Sequence, residues 1–275
     1  MPDTSSTPIR SSLPIGLFDS GVGGLSVARR LAEIAPSESL LYFGDSARCP
    51  YGSRPLSEVR SIGLQILDLL AARGVKLAVV ACNTSTAAGV VEAADYPFPV
   101  LGIIEPGARL AAAATKTGRV GVIATAGTVS SGAYQRALLR QDPGLQVTAQ
   151  ACPSLVPLVE AGQTEGPQAE AAVASCLGPV LASGVDTLVL GCTHYPALAP
   201  VIRRVAGPGL ALVDPAEQVA REAVAWLEQH GLRRRYSGEG ARRFLTSGSA
   251  GQFVAASRAL WPGGVNMAEQ VAVPV

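Results

Sequence analysis

The chain has 275 residues, of which 48% are apolar and 16% charged, with a formal net charge of +1 at pH 7. That balance gives no electrostatic reason to expect a nucleic acid or an anionic membrane surface as partner, and the length allows two modest domains with cores of their own. No apolar stretch is long and uninterrupted enough to span a bilayer, so no membrane partner is expected.

In chain order, residues 1–13 are polar, carry Pro2 and Pro8, and read as a disordered tail over 1–14 with no secretory signal. From Ile15 on, apolar runs of strand length recur at 15–18, 40–43, 77–81, 100–104, 120–124, 145–150, 187–190, 211–213 and 244–246. Amphipathic stretches lie between them, and 25–34, 56–73 and 216–229 are helix candidates, the last two opened by Pro55 and Pro215 near the first helical position. Such alternation predicts an α/β fold of mainly parallel sheets flanked by helices. Two crossings, Glu105-Pro106-Gly107 and Val213-Asp214-Pro215, suggest a first lobe of residues 15–105 plus 214–275 and a second of 106–213. The active site is then expected in the cleft between the lobes.

Two cysteines 110 residues apart sit in near-copies of one pattern, Leu77-Ala-Val-Val-Ala-Cys82-Asn-Thr84-Ser-Thr and Thr187-Leu-Val-Leu-Gly-Cys192-Thr-His194-Tyr-Pro. Each follows an apolar run, and the carboxyl end of such a strand is where open α/β sheets bind ligands. One chain thus offers a thiol on each side of one substrate. The five cysteines form no Cys-x-x-Cys pair, which predicts free thiols in a reducing compartment, the cytoplasm. Cys152 and Cys176 read as apolar filler, and Cys49 as packing. A Cys192/His194 zinc pair lacks further ligands, so no metal is expected. His230, at a helix end, and the cluster Arg233, Arg234, Arg235, Arg242 and Arg243 read as structural and solvated surface.

The turns after the strands hold the remaining polar groups. Asp19-Ser20-Gly21-Val22-Gly23-Gly24 is an anion-friendly turn before a helix. A dinucleotide loop with Asp45 as ribose acid is the rival reading. It is the weaker one, because Ser26 replaces the third glycine and Asp19 would face a pyrophosphate with like charge. Later turns carry mostly neutral donors, among them Tyr51, Gly52, Asn83, Thr84, Thr125, Thr128 and Thr193, which suit a small zwitterion. The lysines are Lys76 and Lys116, and neither lies in these turns, so a pyridoxal phosphate Schiff base has no anchor and no cofactor is expected. Thiols, carboxylates and one histidine must then run the chemistry.

Taken together, the segments Ile15 to Gly24, Tyr42 to Gly52, Val80 to Thr84, Pro157 to Glu160 and Leu190 to Pro196 closely resemble the glutamate racemases, within the wider aspartate/glutamate racemase group. The resemblance implies cofactor-independent inversion of L-glutamate to D-glutamate for peptidoglycan. It implies two pseudo-symmetric lobes, the second inserted into the first, and a homodimer. By the same resemblance Cys82 acts on the D-enantiomer and Cys192 on the L-enantiomer, Asp19 assists the first and His194 the second, and Glu160 is a further polar helper. Asp19, Ser20, Tyr51, Gly52, Asn83, Thr84, Thr125, Thr128, Thr193 and His194 would surround the substrate.

Elementary chemistry agrees with these roles. Inverting a carbon means removing its proton on one face and returning one on the other, so a thiolate and a thiol on opposite faces are the minimal apparatus. A free thiol is only about 3% ionised at pH 7, so the thiolate needs help, and the carbanion needs donors aimed at its carboxylate. Two alternatives stand beside glutamate: a racemase of aspartate or another amino acid, and a protein that only binds a dicarboxylic amino acid.

Overall fold

The computed structural model describes residues 7–273. Helix α1 (Thr7–Ser12) leads into β1 (Ile15–Asp19), α2 (Leu25–Ile34), β2 (Leu40–Gly44), α3 (Leu56–Ala72), β3 (Leu77–Val80), α4 (Asn83–Ala87) and β4 (Val100–Gly102). Next come α5 (Ile104–Ala114), β5 (Arg119–Ala124), α6 (Ala126–Ser130), α7 (Ala133–Gln141), β6 (Gln146–Ala151), α8 (Leu155–Glu160), α9 (Pro167–Ala182) and β7 (Thr187–Gly191). A short 3-10 turn, Tyr195–Leu198, precedes α10 (Ala199–Ala206), β8 (Ala211–Val213), α11 (Pro215–Gln229), β9 (Arg242–Thr246), α12 (Ala250–Ser257) and β10 (Glu269–Gln270). The strands form two sheets, in the orders β10-β9-β2-β1-β3-β4 and β6-β5-β7-β8. Every pairing is parallel, with Ile15 beside Leu40 and Leu77 in one sheet and Val120 beside Thr187 in the other.

Parallel strands covered on both faces read as continuous apolar runs, and β1, β2, β3 and β7 are buried at every position. Alternate residues feed opposite cores. Ile15, Leu17, Leu40, Tyr42, Leu77 and Val79 pack on one face of the first sheet with α2 and α11, while Phe18, Leu41, Phe43, Ala78 and Val80 pack on the other with α3. Each large apolar side chain so withdrawn from water contributes about 1.5–3 kcal/mol. In α2 the buried residues Leu25, Val27, Ala28, Leu31 and Ala32 recur at helical spacing, with Arg29 and Glu33 on the outer face in an ion pair of 2.8 Å. The second sheet is covered likewise by α5 and α7 on one face and by α8, α9 and α10 on the other.

Several expectations need correction. Residues 7–12 of the supposed disordered tail form α1, which is tied down by Lys76 Nζ donating to Ser11 O at 2.7 Å and Arg10 Nη2 donating to Pro97 O at 3.3 Å; residues 1–6 lie outside the described residues. The expected crossing Glu105-Pro106-Gly107 lies in the first turn of α5, where a proline removes an N–H that has no helical partner. Arg233 and Arg234 are not merely solvated. Arg234 N donates to Glu38 Oε1 at 2.8 Å and its guanidinium to Ser39 Oγ at 2.6 Å, around a buried Lys76–Glu38 pair of 2.6 Å. Cys152 and Cys176, read as free apolar filler, form a disulfide with Cα atoms 5.6 Å apart. The packing of α9 against β6 brings them together, which no local pattern announces.

Candidate active site

The carboxyl ends of β1, β3, β5 and β7 meet between the two sheets, and the turns that follow them build one cleft. Asp19 ends β1 fully buried. Its Oδ1 accepts from Gly21 N at 3.1 Å and Ser20 Oγ at 3.3 Å, and its Oδ2 accepts from Thr193 Oγ1 of the second lobe at 2.9 Å. The anion that this glycine turn cradles is therefore its own carboxylate. Gly23 serves close approach: a Cβ there would lie 2.4 Å from Thr193 Oγ1 and 2.6 Å from His194 Nδ1.

Cys82 caps α4, with its Sγ accepting from Ser85 N at 3.5 Å. Burial, and then the charge of Asp19, push its pKa up to about 12, so in the closed cleft Cys82 is a thiol. Cys192 follows β7, 5% exposed, with Sγ 3.8 Å from His194 Nδ1. His194 Nε2 lies 2.6 Å from Glu160 Oε1 at the end of α8. Burial opposes the imidazolium, but hydrogen bonds to Cys192 and Glu160 and their charges raise its pKa well above the ordinary value. Burial likewise works against the Glu160 carboxylate, yet the His194 hydrogen bond and charge bring its pKa below the usual range. The pair is thus charge-separated at neutral pH. Cys49, half-buried, rests with its Sγ 4.0 Å from Glu160 Oε1, and burial followed by the Glu160 and Asp19 charges keeps it a thiol.

On the opposite wall, Thr84 of the first lobe shares a 3.0 Å hydrogen bond with Thr125 of the second, and Thr125 a 2.9 Å bond with Thr128. Gly127 N donates to Gly52 O across the cleft at 2.9 Å. Ser20, Tyr51, Gly52, Cys82, Asn83, Thr84, Thr125, Cys192, Thr193 and His194 all line one cavity of about 10 Å³, together with Pro50 and Val156. Asp19, Glu160 and Thr128 stand behind that lining. A space of this size admits about one water molecule, so the lobes are closed. Larger cavities, about 700 Å³ beside Phe253 and about 340 Å³ between Arg29 and Arg203, touch neither thiol.

The order of these parts along the chain is also that of a known family, since residues 15–223 match the model of the Asp/Glu/Hydantoin racemases. The chain belongs to this racemase family. A curated glutamate racemase of Symbiobacterium thermophilum is 46% identical over 94% of this chain and 94% of its own length. Among solved structures, a glutamate racemase isoform of Bacillus anthracis superposes with a TM-score of 0.90 at 38% identity, covering 96% of this chain and 99% of that one. The glutamate racemase of Francisella tularensis in complex with D-glutamate superposes with a TM-score of 0.88 at 30% identity, covering 96% and 98%.

Two residues of this racemase family member support the site without a signal of that role in the sequence. Asp45, the rival ribose acid, is committed elsewhere: it accepts from the Tyr51 hydroxyl, from Arg48 Nε at 2.6 Å and from Ser247 Oγ at 2.6 Å. It thereby fixes the loop that brings Tyr51 and Gly52 to the cavity, and the Tyr51 hydroxyl is spent on that task. Ser247 follows β9, 202 residues away from Asp45, and carried no signal in sequence. Among the described residues no group of three or more His, Cys, Asp or Glu side chains is placed to hold a metal ion, and no helix is long and apolar enough to cross a membrane.

Proposed function

We propose that this protein interconverts L- and D-glutamate without a cofactor, by transfer of the α-proton between two thiols. The observation that carries the reading is that Cys82 and Cys192, from different lobes, line the same small buried cavity. Cys192, as thiolate beside the protonated His194, removes the α-proton of L-glutamate. Electrons left on the α-carbon spread into its carboxylate, where donors from Asn83 and Thr84 are at hand, while the Thr193 hydroxyl holds Asp19. Cys82, a thiol in the closed cleft, gives its proton to the opposite face, and D-glutamate leaves with Cys82 as thiolate and Cys192 as thiol. The reverse reaction starts from that state, with Asp19 beside Cys82 as Glu160 and His194 are beside Cys192. Both proton transfers take place away from water, which the closed lobes exclude.

The D-glutamate so made would serve peptidoglycan synthesis in the cytoplasm. A homodimer is proposed with it. A binding protein has no use for two buried thiols facing one cavity, and curated relatives support glutamate over aspartate. Incubation of the purified protein, with no added cofactor, with L-glutamate and separately with L-aspartate tests the reading. Loss of optical rotation with glutamate, abolished by Cys82→Ala and by Cys192→Ala, is the expected result. Folded protein that inverts neither amino acid overturns it, and inversion of aspartate alone reassigns the substrate.

A further inference from the structure

Asn83 opens α4 in the first lobe, and Tyr134 lies on α7 in the second. Across the cleft the Tyr134 hydroxyl donates to Asn83 Oδ1 at 2.7 Å, with the two residues 1% and 2% exposed. A carboxamide is nearly symmetric in shape but opposite in chemistry at its two ends, so an unsupported asparagine on a cleft wall can turn either an acceptor or a donor to a ligand. A neighbouring phenol that keeps its proton removes that freedom. Burial, followed by the charges of Asp214 and Cys192, holds the Tyr134 hydroxyl protonated far above neutral pH. Its ring is fixed as well: a Cβ on Gly191 would lie 3.1 Å from Cε2, and one on Gly107 3.2 Å from the hydroxyl.

With Oδ1 engaged, Asn83 Nδ2 remains buried and without a partner, on a residue that lines the cavity between the two thiols. A buried donor is left unpaired in a native fold only where something else completes it. We propose that Tyr134 is a positioning residue, which orients the Asn83 amide so that its nitrogen is presented to a carboxylate oxygen of the bound amino acid. Because the two partners belong to different lobes, the orientation is set as the lobes close. Tyr134 touches neither substrate nor thiol and acts through Asn83 alone. The inference takes its substrate from the glutamate reading above.

The test is a double-mutant cycle on kcat/KM for L-glutamate, with Tyr134→Phe, Asn83→Ala and the pair. Phenylalanine keeps the ring and loses only the donor. Tyr134→Phe is expected to lower kcat/KM about tenfold in the otherwise native protein, the size of one lost hydrogen bond. In the Asn83→Ala background it is expected to change kcat/KM less than about twofold, because the residue it acts through is gone. An equal loss in both backgrounds, as from general loosening, overturns the proposal, and so does a native-like Tyr134→Phe. Should Tyr134→Phe fail to fold, Asn83→Asp decides the matter, since it keeps an oxygen for the phenol and removes the donor. At least a tenfold loss is then expected, and unchanged kinetics overturn the proposal. An unmutated protein without activity overturns the functional reading and this inference together, whereas an active one with equal losses overturns the inference alone.

Discussion

At the scale of the residue, Glu160 and His194 each shift the other against burial. The raised pKa of His194 gives a stabilisation that is fully present below its unfolded value and is lost as pH rises through the folded one. The lowered pKa of Glu160 gives one that is present above its unfolded value and is lost as pH falls through the folded one. Glu160→Gln keeps an oxygen that can accept from His194 but removes the carboxylate charge, which helps to hold His194 protonated, so the imidazolium loses its proton at lower pH. The alkaline fall of kcat/KM is therefore expected to move to lower pH, with a loss of roughly tenfold or more at neutral pH. Rate profiles measured from L- and from D-glutamate must shift together, because the enantiomers have equal free energy. An unmoved alkaline limb contradicts the charge-separated pair.

At the scale of the element, strand ends and the glycines after them set how closely the lobes meet. Gly23→Ala puts a methyl group into the space of Thr193 Oγ1 and His194 Nδ1, at 2.4 and 2.6 Å, on the far side of the cleft. The first sheet does not depend on that contact. The variant is expected to keep its thermal unfolding within a few degrees and to lose kcat/KM by about 100-fold or more, as misplacement of reacting groups does. Equal activity contradicts the closed geometry.

The same scale explains what was legible in the sequence. Strands such as β1 and β7 are covered on both faces, so their residues form apolar runs that stand out without any partner being known. The edge strand β10 is two exposed polar residues, Glu269 and Gln270, and has no such signature. Helix α4 is four hydroxyl or amide residues followed by Ala87, too short for a period, yet it carries Asn83 and is capped by Cys82. Cys82, Cys192 and His194 were readable because their motifs are local. The Asp45–Ser247 and Cys152–Cys176 pairs were not, because each depends on chain segments that meet only after folding.

At the scale of the whole molecule, the structure is a closed form that an amino acid cannot enter. The cavity of about 10 Å³ has to open by separation of the lobes, and bonds across the cleft report on that motion. Gly127 N–H donates to Gly52 O, so its exchange with solvent requires opening. Saturating glutamate is expected to slow exchange of the Gly127 amide while leaving the amides of β1 unchanged. Exchange at Gly127 that ignores the ligand contradicts closure over the substrate.

The isotope content of the first product tests the two thiols on two lobes most directly. L-Glutamate is incubated with the protein in D2O and sampled while only a small part has inverted. Cys192 takes a protium from the substrate, and Cys82, already exchanged with the solvent, returns a deuterium to the other face. The D-glutamate formed is therefore predicted to carry deuterium at its α-carbon while the remaining L-glutamate still carries protium. D-Glutamate that retains the substrate's protium, or equal labelling of both enantiomers from the outset, would mean that one base serves both faces and would contradict the two-thiol mechanism.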